Sequence, residues 1–163
     1  MMTREHILSR SKKLIAVSAL LLASCAHDTY QQRADLVKEH SEAFYTHLKA
    51  NRVESAIREN EQIEAMASEM GQTVRKRASQ QGTTTVEREF ALMKTAREAA
   101  ATNWLALGQY FAIKKQYAQA RATYQRVLST YNDSTDRQYR EQAARALEDL
   151  NILNPSTTPI MNP

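Results

Sequence analysis

Few residues in this sequence have types and positions that suggest chemistry, and the single cysteine is the most informative of them. Cys25 is the only cysteine among 163 residues, so its thiol has no disulfide partner within the chain. In an oxidising compartment such a thiol would be a stray reactive group. Small residues flank it, with Ala23 and Ser24 before it and Ala26 after it. The lack of a partner suits covalent modification of the Cys25 sulfur, while the small residues fit cleavage by either kind of signal peptidase.

The segment before Cys25 has the pattern of an export signal. Residues 1–13 carry one acid, Glu5, against four basic side chains, which are Arg4, Arg10, Lys12 and Lys13. The next ten residues, 14–23, contain no charge. A positive region followed by a short apolar one is typical of a signal peptide, whereas a membrane-spanning helix needs about 20 apolar residues. We therefore predict that residues 1–24 are a signal peptide.

Leu22-Ala23-Ser24-Cys25 resembles the lipobox of bacterial lipoproteins. The resemblance implies that the signal is cut before Cys25 and that the thiol receives a diacylglyceryl group, which leads to firm membrane attachment. In this family the next residue influences sorting, and Ala26 implies the outer membrane, on its periplasmic face, where the cell has two membranes. Residues 25–29 then form a lipidated tether. The alternative is an ordinary signal followed by a free thiol.

Other side chains give little indication of a catalytic or metal site. His40 and His47 are seven residues apart on a predicted helix, about 10.5 Å along its axis, too far to share a metal without a ligand between them. The glutamates within 59–69 have the spacing of a solvated helix face. No nucleophile with a neighbouring base and no glycine-rich phosphate loop is visible in the sequence. We expect no enzyme, no metal site and no cofactor besides the covalent lipid on Cys25.

The net charge argues against a nucleic-acid partner. The chain has 22 Lys and Arg against 18 Asp and Glu, and residues 1–24 hold four of the former and one of the latter. The remainder has 18 basic and 17 acidic residues, a net charge of +1, without the basic surface of a nucleic-acid binder. The one basic cluster in this remainder is Arg75-Lys76-Arg77. Three interpretations are open for it: a docking site for an acidic partner, a contact with phospholipid head groups, or a solvated helix end.

Composition and periodicity predict an all-α fold. With only three glycines and three prolines, and with abundant Ala, Glu, Gln, Arg and Leu, the chain favours helices over strands. Apolar residues return at three- and four-residue steps in five stretches. These stretches are 30–50, 53 to at least 71 and at most 79, 85–114, 117–131 and 136–153. We predict a helical domain of antiparallel hairpins at 30–153 and a disordered tail at 154–163.

Several residues are expected to begin or end these helices. Asn51 is suited to a left-handed end of the first helix. Thr84 with Glu87 forms a predicted capping box for the third helix, and Thr135 with Gln138 forms one for the fifth. These pairs satisfy backbone N–H groups that have no partner inside the helix.

Residues 101–134 resemble a tetratricopeptide repeat. The positions that define the repeat are filled in the family's register, by Trp104, Leu107, Gly108, Phe111, Ala120 and Tyr124. The resemblance implies a helical hairpin in which Trp104 and Leu107 fill the seam, while Gly108 and Ala120 let the two backbones approach closely. Tyr124 closes the far end. An ordinary helical hairpin with an aromatic core is the alternative.

The sequence also departs from the repeat pattern. Val127 stands where a small residue is usual, and Asn132 replaces the helix-ending proline. Residues 40–70 give a weaker echo, with His40 at the Trp position and Asn60 at an aromatic one. The long third helix puts a standard concave groove in doubt. The fifth helix, apolar on one stripe, fits the solvating cap that ends such arrays.

Together these features lead to the expectation of a lipid-anchored adaptor or assembly factor that binds an envelope protein or peptide. Exposed aromatic and arginine side chains would be its anchors, and the candidates are Arg121, Arg126, Tyr131 and Arg140. The alternative is a ligand- or metal-binding helical bundle with a closed, polar-lined cavity. A small envelope hydrolase is a third class, for which the sequence supplies no convergent titratable groups. A helper of secretin assembly would be one form of the adaptor, by analogy of form alone.

Overall fold

The computed structural model describes residues 29–78 and 83–153, with side chains from residue 86 onward in the second range. The predicted signal peptide, Cys25, its tether up to residue 28 and the tail at 154–163 lie outside the described residues. Within the described ranges every regular element is helical. The all-α prediction is confirmed.

Five α-helices follow one another along the described chain. The first, α1, covers residues 29–49. The others are α2 (Val53–Ala78), α3 (Thr83–Ile113), α4 (Tyr117–Thr130) and α5 (Arg137–Leu153), with a 3-10 helix at Ser134–Asp136 before the last. These bounds lie within two residues of the predicted ones, and the open end of the second helix is settled at Ala78.

By its internal packing the chain divides into two units, Met1–Leu36 and Val37–Pro163. The described part of the first unit, residues 29–36, is helical and carries a hydrogen bond from Gln31 Nε2 to Asp35 Oδ1 (3.0 Å). In the second unit α2 packs on α3, α3 on α4 and α4 on α5, and α5 also contacts α3. Because the connections between these neighbours are short, each pair runs antiparallel.

Two helices, α1 and α3, end in turns of the same kind. Asn51 and Lys115 both have left-handed backbone, with φ of 58° and 59°. After α1 the N–H groups of Asn51 and Arg52 donate back to the carbonyls of Leu48 (3.1 Å) and His47 (2.9 Å). After α3 Lys115 and Gln116 repeat this with Ala112 and Phe111, at 2.9 Å each. This is the Schellman arrangement, and it confirms Asn51 as a left-handed helix end.

The core of the second unit is centred on α3, which packs against α2, α4 and α5. Its fully buried alanines, Ala96, Ala100 and Ala101, are 0 % exposed and allow close approach of the adjoining helices. The larger side chains in this core include Phe44, Ile63, Trp104, Leu107, Val127 and Leu150. The long helix thus serves as the common surface on which α2, α4 and α5 pack.

A buried amide pair fixes α2 against α3. Asn60, 0 % exposed, donates from Nδ2 to the carbonyl of Ala100 (3.1 Å). Asn103, 2 % exposed, donates from its own Nδ2 to Asn60 Oδ1 (2.9 Å). A buried amide that loses its partner costs about 1–3 kcal/mol, so this pair disfavours a shifted register between the helices.

Candidate functional site

Glu64 joins three helices through one carboxylate. It lies on α2 with a side chain 21 % exposed, and its Oε1 accepts hydrogen bonds from Trp104 Nε1 on α3 and from the Tyr131 hydroxyl after α4, each 2.8 Å long. Its Oε2 accepts one from Arg126 Nη2 on α4 (2.7 Å). We call these four residues the Glu64 junction. Its polar groups satisfy one another.

Arg126 covers the indole of the junction. Its guanidinium carbon lies 4.0 Å from the ring centre of Trp104, a close cation–π contact. A further ion pair reaches Glu61 on α2 (3.7 Å). The repeat-signature tryptophan is therefore held by a carboxylate at its edge and an arginine over its face.

Tyr131 is the most deeply buried member of the junction, at 1 % exposed. Burial raises the pKa of its phenol far above the ordinary value of 10.0, and the charge and hydrogen bond of Glu64 act in the same direction. The hydroxyl therefore stays protonated and remains a donor to Glu64 at every physiological pH.

Arg97 forms a second polar centre beside the junction. Its Nε and Nη2 form a two-pronged contact with the carboxylate of Asp136, the shortest distance being 2.6 Å, and Nη2 also reaches the Thr130 carbonyl (3.2 Å). Asp133 lies 3.3 Å away. The guanidinium sits 5.1 Å from the ring centre of Tyr131. Hydrogen bonding to Asp136 raises the pKa of Arg97, so α3 is tied to the start of α5 by a permanent charge pair.

The same aspartates cap the 3-10 helix that precedes the fifth helix. The structure has a capping box made by Asp133 and Asp136 around the 3-10 helix, with the Asp133 N–H donating to Asp136 Oδ2 (3.3 Å). The expected pair, Thr135 and Gln138, lies two residues further along. Buried Asp136 takes the role because it also meets Arg97. The capping box predicted at Thr84 rests on side chains outside the described set.

A groove opens between α2 and α3 next to the junction. A cavity of about 420 Å³ is lined by Gly71 and Arg75 of α2, Met93 and Arg97 of α3, and Tyr131, among others. A second cavity of about 280 Å³, which includes Phe90, shares Met93, Arg97 and Asp133 with the first. We call the two together the α2–α3 groove.

Most of the residues on which the repeat resemblance was based belong to the core. Trp104, Leu107, Phe111, Ala120 and Tyr124 are all buried, between 0 % and 6 % exposed. A Cβ built on Gly108 would lie 2.5 Å from Tyr124 Cε1. The glycine thus makes room for the tyrosine ring.

The four proposed partner anchors have differing positions. Tyr131 is inside, which corrects the expectation that its ring is exposed. Arg126 is 40 % exposed and belongs to the junction. Arg121 donates to Asn151 Oδ1, and Arg140 donates to the Asn132 carbonyl (3.3 Å). These arginines have contacts within the chain, and they do not converge on one surface feature.

His40 and His47 both lie close to the carboxylate of Glu59, a contact that the sequence did not predict. Glu59 of α2 lies 2.7 Å from His40 Nδ1 and 3.8 Å from His47 Nε2. Arg52 Nε donates to His47 Nδ1 (3.1 Å), so the proton of a neutral His47 is on Nε2. Across the described ranges no group of three or more His, Cys, Asp or Glu side chains is arranged to hold a metal ion.

Sequence reasoning missed Glu64, Arg97 and Asp136. Glu64 was assigned with its neighbours to a solvated face. Arg97 carried an available signal, since it stands on the apolar stripe of α3, where a charged group requires a buried acidic partner. The sequence gives no means of identifying that partner as Asp136, 39 residues away.

Comparison with protein-family models finds no match to this chain, and comparisons with curated proteins and with solved structures also find none. Within 29–78 and 83–153 no helix combines the length and apolar character needed to cross a membrane.

Proposed function

We propose that this chain is an exported lipoprotein, held on a membrane by acyl chains on Cys25, whose helical domain binds an envelope protein or peptide as an adaptor or assembly factor. The observation that carries the proposal is the sequence Leu22-Ala23-Ser24-Cys25 at the end of a short apolar run. In a cell with two membranes, Ala26 favours the outer membrane and its periplasmic face.

Binding is preferred to catalysis because two central carboxylates of the described part are engaged by other side chains. The Glu64 carboxylate accepts three hydrogen bonds, and Asp136 is held by Arg97. A catalytic acid, base or nucleophile needs access to a reacting group. These carboxylates instead hold helices together, which suits a preformed surface for a partner.

A tetratricopeptide-like hairpin at 101–134 is part of the proposal. Supporting it are the burial of the signature residues and the fit of Gly108 against Tyr124. Helical repeats of this kind present surfaces to proteins and peptides rather than active sites. α5, with exposed charges along its outer side, suits the role of the terminal cap.

The test is metabolic labelling with radioactive palmitate, comparing the natural chain with Cys25→Ala. We expect label and membrane fractionation for the natural chain, and loss of both in the variant. An unlabelled, freely soluble natural chain would refute the anchor. Crosslinking in the native cell, with the same pair of proteins, then tests the adaptor function. Reproducible capture of one envelope protein by the natural chain would support it.

A ligand-binding lipoprotein is the second candidate, favoured by the α2–α3 groove. Its larger cavity, about 420 Å³, falls within the rough range of 300–1,000 Å³ of small-molecule sites. A small molecule that raises the melting temperature by several degrees, together with no captured protein, would favour this function over the adaptor.

A further inference from the structure

We draw no further inference here: the strongest candidate, the exposed apolar surface formed by Ile113 at the end of α3 and by Ile152 and Leu153 at the end of α5, carries nothing, because no feature of the described part of the chain shows what covers it.

Discussion

Removal of the Glu64 carboxylate is the most direct test of what holds the three central helices together. In Glu64→Ala the buried Trp104 Nε1 and Tyr131 hydroxyl both lose their acceptor. Each hydrogen bond to a charged group contributes about 1.5–3 kcal/mol. The ion pair with half-exposed Arg126 adds about 0.5 kcal/mol. We therefore expect the free energy of unfolding to fall by about 3.5–6.5 kcal/mol.

The chain offers a matched control and a built-in probe. Glu61→Ala removes a carboxylate from the same helix that is 48 % exposed and reaches Arg126 only at 3.7 Å, so it should cost less than about 0.5 kcal/mol. Trp104 is the only tryptophan, and its fluorescence reports on the junction during urea unfolding. Similar losses for the two variants, or a Glu64→Ala loss below about 1 kcal/mol, would refute the reasoning.

Three further variants test separate parts of the fold. Gly108→Ala should lower the free energy of unfolding by about 1–2 kcal/mol, because its Cβ would lie 2.5 Å from the Tyr124 ring and the strain exceeds the gain in helix propensity. Gly71→Ala should not lower it, because the nearest atom to the new Cβ belongs to a flexible Met side chain. Equal effects of the two variants would contradict this account. Lys115→Gly should raise the melting temperature, since φ is 59° there, and a decrease would argue against the left-handed turn. Because the pKa of Tyr131 is raised, the stabilisation that its phenol contributes is fully present below about pH 10, the ordinary value, and is lost as pH rises above it. In Tyr131→Phe the fall in the free energy of unfolding at alkaline pH should therefore be shallower, by at most about 1.4 kcal/mol per pH unit, as measured by urea unfolding at several pH values. Identical slopes for the two proteins would exclude the phenol as a cause.

The helices were predictable because their signals are local. Apolar residues at three- and four-residue steps placed all five, and Asn51 marked the end of the first through its own backbone preference. Trp104, Gly108 and Tyr124 were expected in the packing of one hairpin because their spacing resembles that of a repeat. Each of these signals lies within one helix or one hairpin.

The polar contacts were not predictable, because each joins residues far apart in the chain. Glu64 bonds to residues 40, 62 and 67 positions away. On a helix rich in Glu and Arg, nothing local distinguishes a carboxylate that points inward from one that points to water. The capping box of Asp133 and Asp136 at the 3-10 helix was missed for the same reason, since Asp136 also bonds to distant Arg97.

Arginines in and beside the groove differ in what they contribute to folding. Arg97 and Arg126 are committed to acids that tie helices together, so their removal leaves charged or polar groups without partners and should weaken folding before it weakens any interaction. Arg75 has no such commitment, and its removal should leave the free energy of unfolding within about 0.5 kcal/mol. If Arg75→Ala unfolded the chain as Glu64→Ala does, Arg75 would have to be counted among the residues that hold the helices together.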